Sequence, residues 1–155
     1  MVKKVLFFIV AVLLFAACSN RTVFSDYTEL DGGVWATDKS FAFNVEIEDT
    51  AASYEIDLML RNTDVFPRQN LWLKVEQEHN GHPIGVDTLN IFLLDHNGKW
   101  IGKGLCSKYD NEFIWKQQVR FPEKGSYIFR FSQLMRIQVL EGIENIGIEV
   151  IKEKQ

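Results

Sequence analysis

The sequence predicts an all-β domain, an antiparallel β-sandwich of about eight strands with jelly-roll or immunoglobulin-like topology. Three observations predict this fold. Short segments in which apolar and polar residues alternate recur along most of the chain. Turn-forming residues separate these segments at intervals of roughly 8–12 residues. No long segment carries the apolar period of about 3.6 residues that is typical of an amphipathic helix.

The first two strand segments are SFAFNVEI (40–47) and SYEIDLMLR (53–61). In both, every second residue is large and apolar, which is the pattern of a strand buried on one face. The intervening EDTAA (48–52) is expected to form the turn between them.

In the third strand segment, NLWLKVEQE (70–78), a tryptophan stands at a position where the alternation predicts a polar residue. Leu71 and Leu73 share one face of the strand, and Trp72 lies out of phase with them. We therefore expect Trp72 on the outer face of a sheet, because successive side chains of a strand point to opposite faces.

The second half of the chain continues the same pattern. Asn97-Gly98 is a strong short hairpin signal, and 134–140 fits either a strand or a short helix. The remaining strand segments are 88–95, 99–104, 112–121, 126–133 and 146–153.

The amino-terminal segment resembles a bacterial lipoprotein signal. Lys3 and Lys4 precede an apolar stretch at 5–17, which is shorter than the roughly 20 residues of a membrane-spanning helix. Small residues then stand directly before Cys18. This arrangement predicts that 1–17 is removed and that Cys18 is acylated; a plain signal peptide or an anchor with an incidental cysteine is the alternative.

The predicted organisation is therefore a signal peptide at 1–17, a lipidated tether or early edge strand at 18–33, and the sandwich domain at 34–155. Two or three acyl chains on Cys18 would hold the protein stably on a membrane. Ser19, rather than an aspartate, follows Cys18. By analogy with Gram-negative sorting this favours the outer membrane, with the domain facing the periplasm by default and surface exposure left open.

The charge of the chain argues against nucleic acid as a partner. The formal net charge is −4, and removal of Lys3 and Lys4 with the signal would take it to about −6. An acidic domain without a basic block lacks the electrostatic footprint of a nucleic-acid-binding protein.

The second cysteine, Cys106, has no partner if Cys18 is acylated. We expect it to be a small buried hydrophobic residue, which is the usual environment of a free cysteine.

Candidate catalytic and metal-binding groups are weak. His79 and His82 lack a third ligand at a convincing spacing, and Asp95-x-Asn97-Gly98 fits a turn better than a calcium loop. Ser107 has no histidine nearby in sequence, and neither G-x-S-x-G nor a phosphate loop occurs. The sequence thus predicts no catalytic residue, no metal, no cofactor and no enzymatic activity.

A family resemblance emerges from the order of several blocks. Phe24 and Tyr27 follow the lipobox-like cysteine, and Trp35 comes next. The further blocks are LMLRNTDVFPRQNLWLKV, LLDHNGKWIGKG, GSYIFRFSQLMR and LEGIENIGIEV. Together they resemble the gliding-motility lipoprotein GldH family. The resemblance implies an envelope lipoprotein of gliding bacteria and their non-gliding relatives, associated with gliding and with the linked secretion and adhesin machinery. It implies neither an enzymatic activity nor a cofactor.

Three residues are the candidates for a binding surface. Structural support is the default interpretation of Arg61 and Arg136, which could brace loops through carboxylates or carbonyls. The sharper hypothesis is that Trp72, Arg61 and Arg136 form a surface for an envelope protein partner. The alternative function is a carbohydrate- or glycan-binding module with Trp72 stacked on a sugar ring, and a hydrolase assembled only by the fold is the third hypothesis.

Overall fold

The computed structural model describes residues 21–154, so the predicted signal peptide (1–17) and Cys18 lie outside the described residues. A short 3₁₀ turn, Asp31–Gly33, follows the first strand. The strands are β1 (Thr22–Glu29), β2 (Val34–Ala36), β3 (Ser40–Ile47), β4 (Tyr54–Thr63), β5 (Asn70–His79), β6 (His82–Phe92), β7 (Lys103–Leu105), β8 (Lys108–Val119), β9 (Gly125–Gln133), β10 (Val139–Glu141) and β11 (Ile143–Lys152).

The strands form two main antiparallel sheets. Sheet I has five strands in the order β1-β11-β4-β8-β7, and sheet II has four in the order β3-β9-β5-β6. A small third sheet pairs β10 with β2. The all-β antiparallel sandwich is therefore confirmed. The strand count is eleven rather than about eight. The eight predicted segments leave out β1, which lies in the 18–33 segment, and the three-residue strands β2 and β10, which are too short for alternation to be visible in the sequence.

The core lies between sheets I and II. Edge-to-face packing of Trp115 on β8 against Phe129 on β9, with ring centroids 5.6 Å apart, joins the two sheets directly. The alternating residues predicted to face inward are the ones that are buried. These include Ile56, Leu58 and Leu60 on β4, Leu71, Leu73 and Val75 on β5, Phe129 and Phe131 on β9, and Ile146, Ile148 and Val150 on β11.

The segment after the predicted anchor contains an edge strand, β1. β1 pairs with β11 from Thr22↔Ile151 to Glu29↔Asn145, which is the second of the two alternatives that the sequence left open for 18–33. Sheet I thus begins four residues after Cys18.

Cys106 corrects one expectation, because its side chain is exposed and not buried. Cys106 and Ser107 are the two central residues of the β7–β8 hairpin turn, with φ angles of 52° and 68°. Two positive φ values in a two-residue turn match the twist of a hairpin, and a residue at such a tip cannot reach the core.

We call the two ends of sheet I its proximal and distal ends. The proximal end carries the start of β1, the start of β4 and the end of β11, and the backbone N–H of Lys152 there donates to Arg21 O at 2.8 Å. The distal end carries Arg61, the β7–β8 turn and the start of β11. Tyr54 and Arg61 on β4 are about 23 Å apart at 3.3 Å per residue.

Candidate functional site

A concavity lies at the distal end of sheet I. It has a volume of about 510 Å³, which is in the range of small-ligand and peptide side-chain pockets. Its lining residues come from five strands and from the segment before β7. They are Tyr27, Met59, Leu60, Arg61, Ile101, Gly102, Lys103, Asp110, Asn111, Glu112, Phe113 and Asn145. We call this concavity the distal cavity.

An ion pair forms one wall of the distal cavity. Arg61 on β4 and Asp110 on β8 are register partners. The guanidinium donates through Nε to Asp110 Oδ1 at 2.6 Å and through Nη2 to Oδ2 at 3.1 Å. The hydrogen bond with Asp110 raises the pKa of Arg61 above its ordinary value, so the guanidinium stays charged. Both side chains keep substantial exposure, 41% and 62%, and can meet a ligand.

Two nearly buried amides also line the distal cavity. Asn111 is 7% and Asn145 8% exposed. The orientation of the Asn111 amide is well determined because its Nδ2 donates to Asn62 Oδ1 at 2.8 Å, to Tyr109 O at 3.0 Å and to Leu60 O at 3.3 Å. Within residues 21–154, Asn111 Oδ1 and Asn145 Nδ2 have no hydrogen-bond partner. Such unmet groups cost about 1–3 kcal/mol each, so this region is not optimised for stability alone.

The remaining wall is apolar. Met59, Ile101 and Phe113 contribute aliphatic and aromatic surface, and Tyr27 crosses from β1 beside its register partner Gly147. A β-carbon at Gly147 would lie 2.7 Å from Tyr27 Cβ. The glycine is therefore what allows the tyrosine to lie this close to the sheet.

An acidic group continues from the distal cavity along the outer face of sheet I. Asp57 is only 3% exposed although it points away from the core, and its Oδ1 has no partner within the described chain. Burial, followed by the charges of Glu55, Glu112 and Glu149, raises the pKa of Asp57 to about 6. At neutral pH this face is consequently negative.

A second concavity of about 460 Å³ opens between the sheets on the other side of β8. Its walls are mainly apolar, with Leu89 and Ile91 from β6 facing Phe113 and Trp115 from β8. Ile101 and Phe113 line both concavities. We call the second one the inter-sheet cleft.

The three residues predicted as one binding surface are not brought together. Trp72 lies on the outer face of sheet II with 42% of its surface exposed, as its phase in the sequence predicts. Arg136 is exposed in the segment between β9 and β10, whose Leu134 N–H donates to Trp72 O at 2.8 Å. Trp72 and Arg136 therefore share one side of the molecule. Arg61 lies on the outer face of sheet I, across the core from both.

The side chains of the histidine and calcium-like motifs make local structural contacts. His79 stacks on Tyr127 with ring centroids 4.2 Å apart. Asp95 Oδ1 accepts from the backbone N–H groups of Asn97 and Lys99 at 2.8 and 2.9 Å, which closes the turn. Among residues 21–154 no group of three His, Cys, Asp or Glu side chains could hold a metal ion. The same range contains no helix with the length and hydropathy needed to cross a bilayer.

Sequence reasoning missed most of the distal cavity. Asn111 lies in phase with the partly buried Phe113 and Trp115, and a polar residue in the inward-facing phase of a strand was the available signal. No sequence signal marks Asp57 as part of the site, because an aspartate between Ile56 and Leu58 has the normal phase of a solvent-facing residue.

Comparison with known proteins decides the family. A sequence model described as GldH lipoprotein matches residues 22–150. The chain belongs to the GldH lipoprotein family. The gliding motility lipoprotein GldH homolog of Christiangramia forsetii is 28% identical over 96% of this chain and 95% of that relative. The gliding motility lipoprotein GldH of Flavobacterium johnsoniae is 29% identical over 90% of each chain.

Four of the five blocks that carry the GldH resemblance contribute to the distal cavity, and GSYIFRFSQLMR (125–136) does not. Tyr27 comes from the first block, Arg61 from the second, Ile101 and Gly102 from the third, and Asn145 from the last; all of them line the distal cavity. Residues far apart in the sequence thus meet at one site.

Solved structures add little. An insecticidal delta-endotoxin, Cry8Ea1 of Bacillus thuringiensis, aligns with a TM-score of 0.39 at 11% identity, over 78% of this chain and 19% of that one. Dimeric latent PorU of Porphyromonas gingivalis aligns with a TM-score of 0.37 at 8% identity, over 83% of this chain and 12% of that one. Such scores are too low to establish a shared fold.

Proposed function

We propose that this protein is a non-enzymatic, lipid-anchored component of a gliding- or secretion-linked assembly at the outer membrane. The observation that carries the proposal is the match of residues 22–150 to the GldH lipoprotein family. In this proposal Cys18 holds the acyl chains, the domain faces the periplasm, and the distal cavity contacts an envelope protein partner.

The short distance between Cys18 and β1 supports a role close to the membrane. Three residues separate Cys18 from Thr22, and the four Cα-to-Cα steps of an extended chain between them span at most about 14 Å. An anchor at Cys18 would hold the proximal end of sheet I near the lipid surface. The distal cavity would then face away from that surface, toward a partner.

The chemistry of the distal cavity supports binding rather than catalysis. Its lining contains no serine, threonine, cysteine or histidine, so the usual nucleophiles and the commonest general base are absent from it. Asp110 is already engaged by Arg61. Ion-paired and amide groups beside an apolar wall are well suited to hold a polypeptide.

Replacing the chromosomal gene tests the anchor and the assembly role separately. We expect Cys18→Ala to abolish incorporation of labelled palmitate and to release the protein from outer-membrane fractions. The same strain should lose colony spreading or secretion to the extent that a deletion strain does. Palmitate incorporation that survives the substitution would refute the anchor, and normal spreading and secretion by the deletion strain would refute the assembly role.

A distal-cavity variant tests the partner separately. Asp110→Arg, which opposes a second guanidinium to Arg61, should retain palmitate and outer-membrane location but lose proteins that cross-link to the wild type in solubilised envelopes. Glu46→Arg on the outer face of sheet II is the matched control and should retain them. Equal cross-linking by both variants would contradict docking at this site.

Glycan binding through Trp72 is the second candidate, favoured by the exposure of that ring on a strand. Asn90 is the register partner of Trp72, and its Oδ1 accepts a hydrogen bond from Nδ2 of Asn70, two residues before Trp72 on the same face. Polar groups therefore flank the exposed aromatic ring. Envelope polysaccharide should then shift the tryptophan emission of the wild type but not that of Trp72→Ala. Unchanged emission from the wild type would eliminate this function.

A further inference from the structure

We propose that the free edge of β8 accepts an extended segment of a partner polypeptide, which adds to sheet I as a strand and alternates Lys or Arg with apolar residues. This proposal rests on the proposed function, in which the protein docks an envelope partner, and it assigns the docking edge and the chemistry of the partner segment.

The edge of β8 is only partly paired. β4 covers one side of β8 along its length, from Tyr54↔Val119 to Thr63↔Lys108. On the other side β7 pairs only from Lys103↔Asp110 to Leu105↔Lys108. At 112–117 no strand of the described chain lies on this second side. Unpaired backbone N–H and C=O groups along a strand edge are a template for an added strand.

Room for side chains exists on both faces of this edge. The distal cavity reaches β8 at Glu112 and Phe113, and the inter-sheet cleft reaches it at Phe113 and Trp115. Successive side chains of an added strand would point alternately to the outer face and to the space between the sheets. One extended segment could therefore use both concavities.

The charged and apolar groups beside the edge indicate which residue types the partner segment would carry. On the outer face Glu112 has no ion pair among the described residues, and it lies in the acidic group that includes Asp57 and Glu149. The inter-sheet cleft is lined mainly by apolar side chains. Outward positions of the added strand are thus complementary to Lys or Arg, and inward positions to Val, Ile or Phe.

The other edge bordering the cleft is less suitable. β6 also has a free side, and its residues 88–92 line the inter-sheet cleft, but no residue of β6 lines the distal cavity. Lys116 on β8 reaches Asp87 on β6 at 2.8 Å and so closes the cleft beyond Trp115. An added strand therefore gains most beside β8, between this ion pair and Ile101.

The test uses the mature lipidated protein in detergent micelles and a synthetic probe, acetyl-(Val-Lys)₄-amide. We expect saturable binding, together with at least tenfold slower hydrogen exchange of the amides in 112–117. A peptide of the same composition with the valines and lysines in two separate blocks should bind at least tenfold more weakly, as should acetyl-(Val-Glu)₄-amide.

Matched variants locate the site. Ile101 and Ile84 are similarly exposed, 53% and 55%, but only Ile101 lies between the two concavities. Ile101→Lys should weaken binding of the alternating peptide at least tenfold, and Ile84→Lys should change it less than twofold. Thermal denaturation of both variants establishes that each is folded.

Three results would overturn the proposal: absence of saturable binding, equal binding of the blocked and alternating peptides, or unchanged exchange at 112–117. A concentration-dependent dimer that Ile101→Lys disrupts would also overturn it, in favour of a second copy as the occupant. Because the peptide assay depends on neither palmitate incorporation nor colony spreading, its failure leaves the anchor and the assembly role standing.

Discussion

Arg61 and Asp110 face each other across the β4–β8 pairing, and their charged groups make two parallel hydrogen bonds at the rim of the distal cavity. The pair joins two neighbouring strands of one sheet rather than two loops. It therefore adds a cross-strand contact to a ladder that is already hydrogen-bonded, and bracing of loops is not its role.

The first prediction concerns the stability that this pair supplies. Because both side chains are substantially exposed, a double-mutant cycle of Arg61→Met and Asp110→Asn should give a coupling energy below about 1 kcal/mol. Urea denaturation of the four proteins measures it, and 0.5 M salt should reduce it further. A coupling above about 2 kcal/mol would instead assign the pair a mainly structural role.

The second prediction concerns pH and Asp57. The pKa of Asp57 is about 6 in the folded protein against 3.8 for an unperturbed aspartate. The folded state thus binds more protons than the unfolded state between these values. The stabilising effect of protonation is complete below pH 4 and is lost as pH rises through 6.

Asp57→Asn should remove this dependence. At 1.36 kcal/mol per pKa unit, the variant should be more stable than the wild type at pH 8 by up to about 3 kcal/mol, and by much less at pH 4. Urea denaturation across this range measures the difference. Glu46→Gln, on the opposite sheet, should change stability by the same amount at pH 4 and pH 8. If the stability of Asp57→Asn depended on pH as that of the wild type does, the raised pKa would not belong to Asp57.

Much of the fold could be predicted from alternation alone. Segment 40–47 coincides with β3, and 70–78 differs from β5 by one residue, because strands buried on one face repeat apolar residues with a strict period. The start of β6 was missed. The predicted segment begins at 88, whereas β6 begins at His82, directly after a turn in which Asn80 and Gly81 have positive φ.

The site was less predictable because it depends on which strands become neighbours. Tyr27, Arg61 and Asn145 are separated widely in sequence and meet only through the order β1-β11-β4-β8. Single-sequence patterns carry no information about that order. Grouping Arg61 with Trp72 failed for the same reason, since the two residues lie on different sheets.

The third prediction concerns Cys106. Its exposed position at the β7–β8 turn should allow a maleimide to modify the native protein about as fast as it modifies the urea-unfolded protein. Cys106→Gly should fold normally and be stabilised by up to about 1 kcal/mol, because glycine adopts positive φ without steric cost. Protection of the thiol by more than tenfold in the native state would show that the turn covers it.

The fourth prediction compares two glycines with similar backbone conformations. Gly142, at φ 85°, connects β10 to β11, and an added β-carbon would lie 2.5 Å from Phe66 N; Gly98, at φ 77°, has nothing within 4 Å of that position. Gly98→Ala should cost only the strain of a left-handed alanine, about 1–2 kcal/mol. Gly142→Ala should cost roughly 1–3 kcal/mol more, since the backbone at Phe66 would have to move. Urea denaturation of the two variants measures the difference, and equal losses of stability would mean that Phe66 does not pack against Gly142 as closely as described.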